Sequence, residues 1–350
     1  MTSSESPRAV LPQPDEIAAA LADARAVLEA LDGVLLGRSG FHRLVLAGIL
    51  SRGHILLEGV PGVGKTALIK ALGEILDLGW NRVQFTPDLM PGDILGSHIL
   101  QEVAPGRREM TFQPGPVFTH ILLADEINRA SPKTQSALLE AMQERSVTLL
   151  GTTRTLPAPF FVLASQNPIE LEGTYPLPEA QLDRFLFKLV VEEPGADVLE
   201  AIISSRRRGE APPPARTLAR AELESLFAMM ERIYLPRQVA RYVARLVAAS
   251  HPGAADAPAA VTSYVSYGAS PRAAIAMAEA ARAHALLAGR PTVGFEDVEA
   301  VAVPALQHRL ILNYKARFDQ VTAPALVAEL LASVDAAELD LPAGVGIAAP

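Results

Sequence analysis

The sequence predicts an α/β protein with a parallel sheet, followed by a small all-α domain. Short apolar runs alternate with helical segments, and these runs are apolar enough to be buried on both faces, as in parallel sheets covered by helices. Beyond a proline run at residues 212–214, the chain becomes Ala-rich and helical, with little strand signal. A glycine-rich turn separates the first apolar run from the helix that follows it.

The glycine-rich turn, residues 59–66, reads GVPGVGKT and fits the pattern G-x-x-x-x-G-K-[ST]. Residues 54–57 before it predict a buried strand, and residues 66–72 after it predict a helix. Glycines let successive backbone N–H groups approach a phosphate, and a helix N-terminus adds unpaired donors. Lys65 can reach the β- and γ-phosphates, and the Thr66 hydroxyl can ligate Mg²⁺. The turn, called the phosphate loop below, therefore predicts binding of ATP with Mg²⁺.

Polar side chains end two further predicted strands. Asp125 and Glu126 follow residues 121–124 directly, and Asn167 follows the strand predicted at residues 160–164. Asp125 is placed to hold Mg²⁺, and Glu126 is placed to orient or deprotonate an attacking water. Asn167 could fix that water or contact the γ-phosphate. The alternatives are a solvated acidic pair and an Asn-Pro turn initiator. Because ligands sit at the carboxyl ends of parallel strands, we expect one site to collect all three groups.

Three arginines are candidates for phosphate contacts. Arg184 precedes the last predicted strand and is interpreted either as an arginine finger for a neighbouring subunit or as an ion pair with a nearby acid. Arg129 is the alternative candidate for an arginine finger that acts on a neighbouring subunit. Arg272 lies in the first turn of a helix that Ser270 and Pro271 begin, where the helix dipole disfavours a cation. A phosphate opposite Arg272 would offset that cost, and a plain surface arginine is the alternative.

The remaining elements follow from periodicity and from turn residues. Residues 86–118 form an excursion rich in Pro and Gly, and loops of this length in a compact domain are usually functional or flexible. Two hairpins are predicted, pairing residues 97–102 with 109–112 and residues 146–149 with 154–156. The other predicted strands cover residues 83–85 and 185–191. The other predicted helices cover residues 15–31, 39–50, 131–145, 221–233, 236–250, 271–288 and 295–301.

Composition limits the classes of function. The 350 residues include no cysteine, so a disulfide framework, a thiolate metal site and a cysteine nucleophile are excluded. The formal net charge of −8 disfavours non-specific binding to nucleic acid. We find no apolar stretch long enough to span a bilayer and no signal-peptide pattern at the start, so we expect a cytoplasmic protein.

The same signals predict the domain organisation. We expect a disordered N-terminus over residues 1–14, an α/β core over 15–208, a Pro-rich linker over 209–217, a helical domain over 218–335 and a flexible C-terminus over 336–350.

Taken together, these motifs resemble the MoxR family of AAA+ ATPases, from about residue 34 to residue 312. The resemblance rests on LEGVPGVGKT at residues 57–66, QPGPVF at 113–118, ADEINRA at 124–130, KTQSALLEAMQE at 133–144, SQNP at 165–168, EAQLDRF at 179–185 and GASPR at 268–272. It implies a P-loop NTPase core with a helical lid. Residues 86–118 look like the insert in the second helix of that clade, and residues 151–153 look like the tip of its extra hairpin.

The resemblance also assigns residues to roles. It implies Lys65 as the Walker A lysine, Asp125 and Glu126 as the Walker B acids, Asn167 as the first sensor, Arg184 as the arginine finger and Arg272 as the second sensor. The nucleotide contacts that we predict are Gly59, Pro61, Gly62, Val63, Gly64, Lys65, Thr66, Ala67 and Asp125. Of these, Thr66 and Asp125 are the predicted metal contacts.

For function, the resemblance implies an ATP-hydrolysing hexameric ring that remodels or activates protein clients. It further implies a von Willebrand factor A-domain partner, which we expect on a separate chain. The main alternative is the ATPase subunit of a magnesium-chelatase-like metal-insertion complex. A nucleic-acid motor is disfavoured by the acidic charge, and a scaffold that binds nucleotide without turnover is disfavoured by Glu126. The sequence does not identify the client, and the segment after about residue 318 resembles nothing that we can assign.

Overall fold

A computed structural model describes residues 11–60, 62–104, 107–168, 173–206 and 211–335. Several predictions lie wholly or partly outside these residues. They concern Pro61, the turn of the first hairpin at residues 105–106, the start of the linker, and the two terminal segments at residues 1–10 and 336–350.

The described elements follow the predicted alternation. The strands are β1 Ile55–Glu58, β2 Trp80–Gln84, β3 Gly96–Ala104, β4 Arg107–Pro114, β5 Ile121–Asp125, β6 Ser146–Leu149, β7 Thr152–Thr155, β8 Phe161–Gln166, β9 Phe187–Val190, β10 Val265–Tyr267 and β11 Ile311–Leu312. The helices of the first part are α1 Pro14–Val34, α2 Ser39–Leu50, α3 Lys65–Ile75, α4 Pro91–Leu95, α5 Pro132–Glu144, α6 Glu179–Leu182 and α7 Ala196–Ser205. The helices of the second part are α8 Arg220–Arg232, α9 Arg237–Ala249, α10 Ala259–Tyr264, α11 Pro271–Leu287, α12 Phe295–Leu306, α13 Tyr314–Phe318 and α14 Ala323–Ser333.

The central sheet has five parallel strands in the order β2-β5-β8-β1-β9. Successive side chains of a strand point to opposite faces. In β5, Ile121 and Leu123 pack with α1 to α3 on one face, while Leu122 and Ala124 pack with α5 on the other. Helices cover both faces, which is why these strands read as continuous apolar runs. The predicted α/β core with a parallel sheet is confirmed.

The second part, α8 to α14, is called the lid below. Its helices pack on one another and on α1 and α2, and a single apolar cluster is continuous from these helices to the sheet. The lid is mostly helical, as predicted, and also contains the two-stranded ribbon β10–β11. Sequence reasoning missed this ribbon and the helices α4, α6, α7, α10, α13 and α14, because each is short or lacks a clear periodic pattern. None of the helices in the described part of the chain combines the length and apolar character needed to cross a bilayer.

Both predicted hairpins are present, as β3–β4 and β6–β7. They contact each other through Arg154 of β7, whose guanidinium lies 3.9 Å from the centre of the Phe112 ring in β4. Phe112 in turn meets Phe118 edge to face, with ring centres 5.7 Å apart. Phe118 also packs against the buried apolar cluster that contains Val117 and Leu138, so the excursion is anchored to the core at this end.

Two glycines test how tightly α3 packs on the sheet. A Cβ on Gly73 would overlap the Trp80 ring and lie 3.0 Å from the Leu78 carbonyl oxygen, whereas a Cβ on Gly33 in α1 would meet no atom within 4 Å. We expect Gly73→Ala to lower the free energy of unfolding by about 1–3 kcal/mol through overpacking. The matched control Gly33→Ala should be neutral or raise it by up to about 1 kcal/mol. Thermal unfolding midpoints of the two variants measure this, and equal midpoints would contradict the packing.

His54 makes the fold sensitive to acid. Its ring is buried, accepts a hydrogen bond at Nδ1 from the Val162 N–H (3.0 Å) and donates from Nε2 to the Met142 carbonyl (3.1 Å). Burial lowers the pKa of His54 to about 4. The unfolded chain therefore binds this proton at a higher pH than the folded chain, and stability falls as the pH drops from about 6.5 towards 4.

We expect His54→Gln to be less stable than the wild type at pH 7.5 and to lose less stability between pH 7 and 5. Phe160→Leu is the control, because Phe160 packs edge to face on His54 and does not titrate. It should lower the unfolding midpoint without changing its pH slope. A His54→Gln slope equal to that of the wild type would show that His54 does not cause the acid sensitivity.

Candidate active site

The phosphate loop connects β1 to α3 and is held against two neighbouring strands. The Gly59 N–H donates to the Gln166 carbonyl at the end of β8 (3.2 Å), and a Cβ on Gly59 would lie 2.8 Å from the Val191 carbonyl oxygen. Gly62 and Gly64 have φ values of +84° and +90°, a left-handed conformation that glycine adopts without steric cost. Gly64 is the N-cap of α3, so the helix N-terminus opens directly onto the loop.

Lys65 is the first residue of α3, and its side chain is buried. Its ammonium donates to the Gly59 carbonyl (3.0 Å), which folds the side chain back over the loop. Burial lowers the pKa of Lys65, while the nearby carboxylates of Asp125 and Glu126 oppose this effect. The Lys65 ammonium and the two carboxylates therefore lie close enough to influence one another electrostatically. Thr66 and Ala67 follow in the first turn, and both are half-buried.

Asp125 ends β5, and both of its carboxylate oxygens are engaged. Ser165 donates to Oδ1 (2.5 Å), and Arg82 donates to Oδ2 from Nε (3.1 Å) and Nη2 (2.7 Å). Ser165 also accepts from the Glu126 N–H (2.9 Å), so one hydroxyl fixes both acids. Sequence reasoning missed Arg82 and Ser165, although Ser165 belongs to the SQNP motif beside Asn167.

Glu126 has a φ of +56°, an uncommon left-handed conformation for a non-glycine residue. Its Oε2 accepts hydrogen bonds from Gln84 Nε2 (2.7 Å) and Arg129 Nη1 (3.0 Å). Arg129, the rival candidate for a trans-acting arginine, thus contacts the acid of its own chain. Gln84 was not identified from the sequence, because its role depends on the pairing of β2 with β5.

Asn167 directly follows β8 and is buried. The strand β8 lies between β1 and β5, so Asn167 emerges between the phosphate loop and Asp125. The structure thus brings these three groups to one edge of the sheet, as the strand order requires.

A cavity of about 590 Å³ lies beside the loop. Arg38 links the two, because it donates to the Val63 carbonyl (2.5 Å) and to the Glu192 carbonyl (2.8 Å). The cavity is lined by segments far apart in sequence, among them Leu36, Phe41, Val191, Val198, Val303 and Gln307. Sequence reasoning did not find this cavity, since no single segment forms it.

The other two predicted arginines lie elsewhere. Arg184 and Arg272 line a separate cavity of about 400 Å³ between the core and the lid. Three further arginines line it as well, namely Arg52, Arg145 and Arg309. None of the described residues of the phosphate loop takes part in its lining. Within one chain, the structure therefore does not bring Arg184 or Arg272 to the loop.

Arg184 is held by a hydrogen bond from Nη1 to the Leu139 carbonyl (2.7 Å), and its buried Nε has no partner among the described residues. Arg272 is more exposed, and its Nη1 lies 3.8 Å from Asp183 Oδ2. This surface has a strongly positive character, although the chain as a whole is acidic.

The donor set suits a nucleotide with a hard divalent cation. Carboxylate and hydroxyl oxygens, as at Asp125 and Thr66, are typical ligands of Mg²⁺. The loop supplies backbone N–H groups, a helix N-terminus and a buried ammonium for an anionic group. The residues present therefore fit both ATP and Mg²⁺.

Comparison with known proteins gives the family. A model described as "ATPase family associated with various cellular activities (AAA)" matches residues 54–187, and one described as "AAA lid domain" matches residues 257–330. A crystal structure from Cytophaga hutchinsonii superposes with a TM-score of 0.83 at 36% sequence identity, covering 92% of this chain and 97% of that chain.

Three relatives are similar along most of their length. Chaperone MoxR1 of Mycobacterium tuberculosis is 43% identical over 311 residues, which cover 89% of this chain and 81% of the relative. Protein YeaC of Bacillus subtilis is 42% identical, with coverages of 88% and 92%. Protein MoxR of Paracoccus denitrificans is 33% identical, with coverages of 87% and 94%. These matches confirm the resemblance that the motifs indicate, and the chain belongs to the MoxR family of AAA+ ATPases.

Proposed function

We propose that this chain hydrolyses ATP at sites shared between adjacent subunits of a ring, and that the cycle remodels or activates protein clients. One observation carries the proposal. The phosphate loop and the acids lie at one edge of the sheet, while Arg184 and Arg272 line a different cavity of the same chain. A second copy that presents its arginine cavity to the loop would complete the site.

Each chain supplies the binding half of the site. The phosphate loop and Lys65 hold the phosphates, and the cavity next to Arg38 accepts the base and ribose. Thr66 and Asp125 would hold Mg²⁺, which supplies positive charge against the phosphates when it is bound. Binding of Mg²⁺ would then require Asp125 to give up at least part of its hydrogen bonding with Arg82.

The catalytic base is Glu126 in this proposal. Gln84 and Arg129 hold its carboxylate at the end of β5, and the Ser165 hydroxyl fixes the backbone at that point. Glu126 would accept a proton from the attacking water, or orient that water, and Asn167 would help to position it. Because Arg129 already binds Glu126, we assign it to this cis arrangement and Arg184 to the trans-acting role.

The neighbouring subunit supplies the arginines. Arg184 would stabilise the charge that develops on the γ-phosphate, and Arg272 would assist from the lid. Apolar side chains close to Arg272 in sequence support a protein partner at this face, since Tyr267 and Ile275 are 68% and 65% exposed. Burying such residues against a second copy would be favourable.

We further propose a ring size, a partner and a client-binding surface. The relative named Chaperone MoxR1 supports a chaperone role. The hexameric ring and the von Willebrand factor A-domain partner are proposed from the motif resemblance alone. Exposed Leu100 and Met110 face one another across the β3–β4 hairpin, and Leu150 is exposed at the tip of β6–β7. We propose these exposed apolar residues of the two hairpins as the client-binding elements.

Two variants separate nucleotide binding from turnover. Lys65→Ala should weaken ATP binding strongly, because it removes the cation from the phosphate loop. Glu126→Gln should keep ATP binding and lower kcat by about 10²–10⁴, the contribution expected of general base catalysis. Fluorescent-nucleotide titration and phosphate release measure the two effects. Glu126→Gln with a normal kcat would remove Glu126 from the mechanism.

Arginine variants test the shared site. Arg184→Ala should lower kcat by about 10³–10⁵, the range known for arginine fingers, while leaving the affinity for ATP within a few-fold of the wild type. Arg272→Ala should lower kcat less, because it is more exposed. The control is Arg220→Ala, since Arg220 of α8 contacts Glu224 and the Ala158 carbonyl, and neither it nor these partners line the two cavities. If the Arg184→Ala variant hydrolysed ATP as fast as the Arg220→Ala variant, the proposal of a shared site would be wrong.

A further inference from the structure

We propose that Asp183 is a positioning residue that joins Arg184 of the core and Arg272 of the lid into one preorganised unit, offered to the nucleotide of the neighbouring subunit. This inference rests on the proposed function, because it assumes that both arginines act on another chain. It concerns a residue to which sequence reasoning gave no role.

The Asp183 carboxylate is shared by three lid residues. Its Oδ1 accepts a hydrogen bond from Arg309 Nε (2.9 Å), and its Oδ2 accepts one from the Ser270 hydroxyl (2.8 Å). Arg272 Nη1 lies 3.8 Å from the same Oδ2. Asp183 itself precedes Arg184 in the chain, at the end of α6. One carboxylate therefore lies between the two arginines that the proposed function needs.

Arg309 extends this contact to the segment on both sides of Arg184. Its side chain is only 3% exposed. It donates to the backbone carbonyls of Phe185 (2.7 Å), Leu186 (3.1 Å) and Asp183 (3.2 Å), and also to Ala305. His308 adds a contact from Nε2 to the Phe185 carbonyl (3.0 Å). The segment that follows α12 thus fixes the backbone from Asp183 to Leu186, with Arg184 inside the fixed segment.

Ser270 extends the contact to Arg272. It is the N-cap of α11, and its hydroxyl accepts from the Arg272 N–H (3.2 Å). The same hydroxyl donates to Asp183, so the first turn of the lid helix is connected to the core carboxylate through one oxygen atom. Displacing Asp183 would release both the Arg272 turn and the Arg184 segment.

The physical consequence is preorganisation. Charge-assisted hydrogen bonds in a largely buried setting hold their partners more firmly than surface ion pairs do. Two arginines whose backbone positions are fixed relative to each other need no reordering when a neighbour's triphosphate arrives. A misplacement of about 1 Å in such a group can cost about 10²-fold in rate.

The test uses mixed rings of two variants that are inactive alone. Glu126→Gln chains cannot use their own nucleotide but still present Arg184, whereas Arg184→Ala chains keep Glu126 but lack the arginine. Under the proposed function, mixing the two restores phosphate release at junctions between them. Asp183→Asn is then added to one chain or to the other. It keeps the shape of the side chain and removes its charge.

We expect Asp183→Asn to lower the restored rate by about 10- to 100-fold when it is placed in the Glu126→Gln chain, which donates the arginines. Placed in the Arg184→Ala chain, it should leave the restored rate within about twofold. A merely structural role would lower the rate equally in both placements, and that result would overturn the inference. No loss in either placement would overturn it as well.

The experiment distinguishes a failure of the proposed shared site from a failure of the role given to Asp183. If the parent mixture restores no activity, the proposed function fails, and the role of Asp183 fails with it. Each variant should first be checked for an unchanged unfolding midpoint and ATP affinity. Should Asp183→Asn not fold, Ser270→Ala provides the second variant, because it retains the pair between Asp183 and Arg309. It should give the same donor-only loss with a smaller magnitude, and a loss in both placements would contradict the inference.

Discussion

Parallel pairing of β1, β8 and β5 is the constraint on which the site depends. Parallel strands bring their carboxyl ends to one edge of a sheet, and here those ends hold the phosphate loop, Asn167 and Asp125. The order of these strands also allows the hydrogen bond from Gly59 to Gln166 and the contacts of Ser165 with both acids. Without this alignment, the polar residues would be isolated strand ends.

The apolar core is continuous between the lid and the sheet, and lid residues line both cavities. Because one cluster joins α1, α2 and the lid helices to the sheet, the lid is a fixed neighbour of the core. The first cavity uses lid residues next to the phosphate loop, and the second uses them next to Arg184. One chain therefore carries the phosphate loop and the arginine-lined cavity at different surfaces, and the proposed shared site rests on this geometry.

The parallel sheet, the phosphate loop and the acids at the strand ends could be predicted from the sequence, for a physical reason. Residues that act through backbone conformation or at strand ends leave local patterns, as the phosphate loop and Asp125 do. Residues that act through pairing between distant segments leave none. Gln84 reaches Glu126 only because β2 pairs with β5 so that Gln84 lies opposite Asp125, and Arg309 reaches Asp183 across more than a hundred residues of chain. The cavity beside Arg38 was missed for the same reason.

The central claim is that hydrolysis requires more than one subunit. The most direct measurement is ATP turnover per subunit across a wide range of protein concentration, with the oligomeric state measured by sedimentation in the same samples. We predict that turnover is negligible where the chain is monomeric and rises in step with the assembled fraction. A turnover that stays constant while the protein passes from monomer to assembly would contradict the shared site.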